Sequence, residues 1–162
     1  MAQDQATITI RKANAGDVPA ILKCLQEAFE PYRESYTPGA FLDTVPSLED
    51  LLKRLATMCV FVAETPSGEL AGTIACNVVS SEEGHVRGMA VRVPWHGTGV
   101  AAQLIHSVET ELRARGCSCV TLDTTSVLQR AMRFYERHGF RRSGRISDFF
   151  GMELIEYVKV LR

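Results

Sequence analysis

The sequence predicts an α/β fold, with a central mixed, twisted sheet of about seven strands flanked by about four helices. Three patterns point to it. Runs of strand length, alternating or wholly apolar, are interleaved with long helical periodicities. Two such runs, "CVFVAE" and "LAGTIACNVV", flank the turn "TPSGE" and read as a hairpin. Further on, the order becomes strand, helix, strand, helix, as in a parallel crossover.

Taken in order, "ATITIRKA" alternates apolar and polar residues and reads as the first strand. "AGDVPAILKCLQEAF" reads as a helix with Val18, Ile21, Leu22, Leu25 and Phe29 on one face. "EPYRESYTPGAFLDTVP" is rich in Pro, Gly and aromatics and is expected to be an irregular surface segment. "SLEDLLKRLA" is a helix with Ser47 as N-cap and Asp50 at its third position. After the hairpin, "HVRGMAVRV" is a strand. "GTGVAAQLIHSVETELRAR" is a helix with the apolar stripe Val100, Leu104, Ile105, Val108 and Leu112, stopped by Gly116. "CVTLDTT" is a strand, and "LQRAMRFYERH" is a helix closed by Gly139. "FRRSGRI" and "ELIEYVKVL" are the last two strands. No repeat or linker interrupts this order, so residues 1–162 read as one domain.

The composition is ordinary for a soluble protein, with 46% hydrophobic and 23% charged residues. A net charge of -1 supplies no basic field, so nucleic acid is not an expected partner. No apolar run approaches a membrane span, and "MAQDQATITI" lacks a leader's basic region and apolar core. A cytoplasmic protein without a membrane partner is expected. Cys24, Cys59, Cys76, Cys117 and Cys119 are an odd set in apolar surroundings and suggest no disulfide framework. Cys117 and Cys119 lack zinc-site spacing and a second pair, so they read as structural thiols.

Gly97 and Gly99 stand between a strand and a strongly periodic helix. A helix start has unpaired N–H groups and the positive end of the dipole, which suit a phosphate. Gly97-x-Gly99-x-x-Ala102 also fits the dinucleotide fingerprint, with Asp123 roughly 20 residues on. Pro94, Trp95 and His96 intervene after the strand, however, and too little chain remains for a second nucleotide half. A P-loop fails because no Gly-Lys-Ser/Thr closes the loop.

His96-Gly97-Thr98-Gly99-Val100-Ala101 resembles the pyrophosphate motif of the GNAT N-acetyltransferase superfamily, Gln or Arg-x-x-Gly-x-Gly or Ala opening a helix. "AMRFYERHGF" resembles its second signature through Ala131, Tyr135, Gly139 and Phe140. The element order is similar over nearly the whole chain. The resemblance implies an N-acetyltransferase that moves an acetyl group from acetyl-CoA to a primary amine of a small molecule or peptide. Attack would be direct, in a ternary complex, without a metal. It further implies that Met89, Ala90 and Val91 pair with the pantetheine arm through their backbone. Gly97, Thr98, Gly99, Val100, Ala101 and Ala102 would hold the pyrophosphate, with Phe134 and Tyr135 on the far side. The thioester would lie where the strands carrying "GMAV" and "VTLD" splay apart. His96 stands where glutamine or arginine is usual, and beside a pyrophosphate it would gain charge as pH falls. Leu128 stands where many members have an asparagine. These two departures leave room for a rival, a non-catalytic acyl-CoA-binding regulatory module, against which Tyr135 speaks. Homodimers are common in the superfamily, so a dimer is the default.

Amide formation needs a neutral amine, donors for the oxyanion and a proton for the thiolate. Tyr135 is the expected acid, since a phenol titrates near ~10, not far above a thiol. The alternative is a core tyrosine on an amphipathic helix. His85, at the strand position where relatives carry a catalytic glutamate or histidine, is the expected base. Its alternative is a solvated edge histidine, and Asp123 is a rival base. Strict alternation places His85, Arg87, Met89 and Val91 on one face. Backbone amides at Met89 to Val91 are the expected oxyanion donors. His106 and His138 receive no chemistry. The charge-rich "ERHGFRR" reads as a solvated helix end and turn; its alternative is contact of Arg137 or Arg141 with the 3′-phosphate of the cosubstrate. The resemblance makes "EPYRESYTPGAF" and "SDFFGMELIEY" the acceptor walls, supplying Tyr32, Tyr36, Phe41, Phe149 and Phe150 with Arg33, Glu34, Asp148 and Glu153. Arg87 would favour a carboxylate there.

Overall fold

A computed structural model describes residues 7–161. Residues 1–6, on which the expectation of no leader largely falls and which include the first residue of "ATITIRKA", lie outside them. Seven strands form one sheet in the order β1-β2-β3-β4-β5-β7-β6. They are β1 (Thr9–Lys12), β2 (Cys59–Glu64), β3 (Leu70–Val78), β4 (Glu83–Val91), β5 (Cys119–Thr124), β6 (Arg141–Phe149) and β7 (Met152–Val160). Only β4 and β5 run parallel; the other pairs are antiparallel. The helices are α1 (Val18–Phe29), α2 (Pro38–Thr44), α3 (Leu48–Thr57), α4 (Val100–Ala114) and α5 (Gln129–Arg137).

The helices cover both faces of the sheet. α4 and α5 bury Val100, Leu104, Val108, Met132 and Tyr135 against one face, with Val86, Val91, Val120 and Leu122. α1, α2 and α3 bury Ile21, Leu25, Phe41 and Leu51 against the other, with Val62, Ala75 and Ala90. Leu104, Val108 and Leu112 are fully buried, each contributing about 1.5–3 kcal/mol of apolar transfer. Glu109 is buried on α4 and is tolerated because Lys159 Nζ of β7 lies 2.5 Å from its Oε1.

Two expectations are corrected. The segment after α1 lies on the surface at first, as expected, but it is not irregular, and its second half enters the core. Glu30–Ser35 is a 3-10 helix, and α2 follows as a fifth helix. Thr37 caps α2 by accepting from Ala40 N, and Pro38 stands at the start of the helix. Tyr36, Ala40 and Phe41 are buried and carry the segment into the core. Strict alternation along β4 also fails. Thr73 pairs with Ala90 but Ala75 pairs with Arg87, so β4 holds one residue more than β3. Such a bulge reverses the side-chain parity beyond it. Gly88 makes it, at φ +62. His85 and Arg87 therefore face α1–α3, whereas Met89 and Val91 pack on the α4–α5 side.

Among the described residues no helix is long and apolar enough to cross a membrane.

Candidate active site

The parallel β4–β5 ladder ends at Val86↔Leu122. Beyond it the β5-facing edge of β4 has no strand partner from Arg87 to Val91. A cavity of about 750 Å³ opens at this gap and reaches both faces of the sheet.

At one end the cavity meets the start of α4. Gly99 is the N-cap at φ 88 and ψ 0 and offers no side-chain cap. Gln103 N donates to Gly99 O, so the N–H groups of Val100, Ala101 and Ala102 precede the first intrahelical bond. A Cβ at Gly97 or Gly99 would meet no protein atom within 4 Å. The glycines are thus demanded by positive φ and by open space in front of the amides, a cradle suited to an anion. Met89, Ala90, Val91, His96, Gly97, Gly99, Ala101, Ala102 and Phe134 all line the cavity. Thr98 and Val100 do not. Thr98 Oγ1 donates to Trp95 O at 2.5 Å, and the Val100 side chain is buried in the core. The His96 ring donates through Nε2 to Val91 O at 2.8 Å, tying the glycine loop to the end of β4.

Tyr135 reaches the gap from the α5 side. Its ring is buried against Phe134, Phe140 and Tyr157, and its hydroxyl donates to Met89 Sδ at 3.5 Å. A thioether is a weak acceptor, so this proton is available to a better one. Burial pushes the phenol up to about 12, which keeps it protonated at neutral pH.

His85 reaches the gap from the opposite face. Its Nδ1 lies 2.9 Å from Thr121 Oγ1. The Thr121 hydroxyl has acceptors at Glu83 Oε2 and Gly84 O, both at 3.4 Å. A Thr121 hydroxyl donating to either acceptor takes the Nδ1 proton of His85 and leaves the Nε2 lone pair free; donating instead to Nδ1, it sets the proton on Nε2, toward Asp123. Asp123 Oδ2 stands 3.6 Å from Nε2. Burial raises the Asp123 carboxyl above its ordinary range, and the nearby His85 opposes that rise. The two candidate bases are thus one pair. Thr121 was not foreseen, although it shares the parity of Asp123 on β5.

On the same face Arg87 is bound to Asp43 at 3.1 Å. Tyr32, Tyr36 and Phe149 line the cavity as expected of acceptor walls. Phe41 is instead a core residue under the Arg33 guanidinium, which pairs with Glu30. Phe150 sits exposed in the β6–β7 turn. Arg137 and His138 line the cavity near Phe134, and the His138 ring stacks on Phe134 at 4.2 Å. Burial raises the thiols of Cys24 and Cys76 to about 11 and about 12, as suits structural cysteines.

The sequence model described as "Acetyltransferase (GNAT) family" matches residues 20–140, well over half of the chain. N-alpha-acetyltransferase MAK3 of Arabidopsis thaliana is 28% identical over 86 residues, covering 51% of this chain and 45% of that protein. The chain therefore spans less than half the length of this curated relative. Three solved structures share the fold at low identity. An acetyltransferase of the GNAT family from Staphylococcus aureus Mu50 superposes with a TM-score of 0.79 at 16% identity, covering 96% of this chain and 100% of that one. The PaiA N-acetyltransferase from Thermoplasma acidophilum, in complex with coenzyme A, gives 0.77 at 18% identity, covering 95% and 99%. The ribosomal-protein-S18-alanine N-acetyltransferase from Escherichia coli gives 0.74 at 20% identity, covering 96% and 94%.

Proposed function

Because the chain belongs to the GNAT acetyltransferase family, we propose that it transfers an acetyl group from acetyl-CoA to a primary amine. The observation that carries this reading is the single cavity at the β4–β5 gap. It joins an anion cradle, a buried protonated phenol and a paired imidazole that approach from opposite faces of the sheet.

The residues present fit acetyl-CoA. The amides at the start of α4, unshielded because Gly97 and Gly99 lack side chains, hold the pyrophosphate. The free edge of β4 at Met89 to Val91 takes the pantetheine arm, with Phe134 opposite and Arg137 toward the 3′-phosphate. His96 holds the loop in register through Val91. When bound, the thioester supplies an activated acyl group. His85 Nε2 accepts a proton from the acceptor ammonium, and Asp123 stabilises the resulting imidazolium. The Tyr135 hydroxyl donates its proton to the departing sulfur, and the phenol is restored by the second proton that the nitrogen sheds as the amide forms. Backbone N–H groups of β4 face the charge that develops on oxygen. The acceptor enters from the α1–α3 face and the sulfur leaves toward α5. One domain carries the whole site, in the cytoplasm.

Calorimetry with acetyl-CoA and with NAD tests the ligand, and amine-dependent thiol release tests the reaction. Gly99→Ala places a methyl group before the amides at a left-handed φ. It is expected to weaken acetyl-CoA binding about tenfold or more and to cost about 1 kcal/mol of stability. Gly116→Ala is the control. It shares the left-handed φ, at +86, with open space, but lies outside the cavity wall. It should lower stability alike and leave binding unchanged. Equal binding by Gly99→Ala and the parent removes this loop from the ligand site.

A further inference from the structure

The acceptor side of the cavity carries a guanidinium without a protein partner. Arg54, on α3, lines the cavity and is half-buried. Its Nη1 lies over the β4 bulge, 2.6 Å from where a Cβ on Gly88 would stand. Among the described residues it forms no side-chain hydrogen bond or ion pair. Two carboxylates act on it without binding it: Asp43, which is committed to Arg87 at 3.1 Å, and Asp50, one turn back on α3. The Arg54 guanidinium thus keeps its hydrogen-bond donors unused at the cavity wall. Burial and the charge of Arg87 hold Arg54 down to about 10, which leaves it cationic at neutral pH. Sequence reading gave this residue no role and assigned the carboxylate to Arg87, whose charge Asp43 already takes.

A half-buried guanidinium that keeps its donors free, on the face from which the amine enters, is a preformed site for an oxyanion. His85 and Gly88 lie three residues apart on β4, about 10 Å at most, since the bulge at Gly88 shortens the strand. That span is comparable with an amino acid hydrogen-bonded at each end. From the β6–β7 hairpin, Phe149 and Leu154 line the cavity.

We infer that Arg54 is a specificity residue that binds the carboxylate of a small amino acid acceptor. The inference rests on the acyl-transfer reading. Free amino acids, their carboxamides and the matching decarboxylated amines are compared in two assays on the parent protein, Arg54→Gln and Arg54→Lys. One assay is acetyl-CoA thiol release, and the other is ligand-observed NMR binding. The parent is expected to favour carboxylate-bearing amines about 10- to 100-fold in kcat/KM. Arg54→Gln abolishes that preference while leaving carboxylate-free amines unchanged, and Arg54→Lys retains part of it. Equal use of acids and amides by the parent overturns the inference. So does an equal loss on both in Arg54→Gln, or a peptide used better than its free N-terminal amino acid. No thiol release with any amine overturns acyl transfer instead. The NMR arm then decides, because amino acids that bind no tighter than their amides overturn the role of Arg54 by themselves.

Discussion

Tyr135→Phe lowers turnover about 100-fold or more, the range of a lost general acid, and leaves acetyl-CoA affinity little changed. The hydroxyl is the whole difference between the two side chains. Its partner in the protein is Met89 Sδ, a weak acceptor, so its removal costs little stability. The melting temperature of the variant therefore stays level or rises. A phenol raised to about 12 cannot give a basic limb near neutral pH, so the loss is uniform across that range. Its distance from thiol acidity is narrowed where it matters, because the same apolar burial that raises the phenol raises a departing thiolate. A purely structural Tyr135 predicts turnover kept in Tyr135→Phe, because the ring that packs in the core is unchanged.

His85→Ala is expected to lower kcat/KM about 100- to 10,000-fold at neutral pH, the range of a lost general base. Asp123→Asn removes the carboxylate 3.6 Å from Nε2 and should cost less rate, because the imidazole remains. The same substitution separates function from stability. Burial raises the Asp123 carboxyl, so the folded state binds that proton more tightly than the unfolded chain. Its contribution to stability then falls as pH rises from the ordinary carboxylate range through the raised one. Asp123→Asn should raise the melting temperature at neutral pH, and the gain should vanish in acid. An unchanged kcat/KM in His85→Ala removes His85 as the base.

The parts of the fold legible in the sequence are those set by periodicity. The α4 stripe from Val100 to Leu112 is buried as its spacing requires, and Ser47 caps α3 by accepting from Asp50 N. Thr37-Pro38 carried the signal for α2, an N-cap followed by proline, but the surrounding glycine and aromatics concealed it. The bulge at Gly88 was less accessible, because one extra residue on β4 is visible only against its partner β3. It shapes the site, since it puts Met89, the partner of Tyr135, on the opposite face from His85. The glycine loop and Tyr135 were readable from motif spacing. Thr121, Asp43 and Arg54 were not, because their roles depend on which neighbour each side chain meets across the sheet.

The most direct test measures free thiol released from acetyl-CoA with a panel of primary amines, alongside the acetylated amine. Thiol release that depends on the amine, matches the acetylated product one for one and collapses in Tyr135→Phe is the expected result. Binding of acetyl-CoA without amine-dependent thiol release from any member of the panel would contradict it and leave an acyl-CoA-binding protein that does not catalyse transfer.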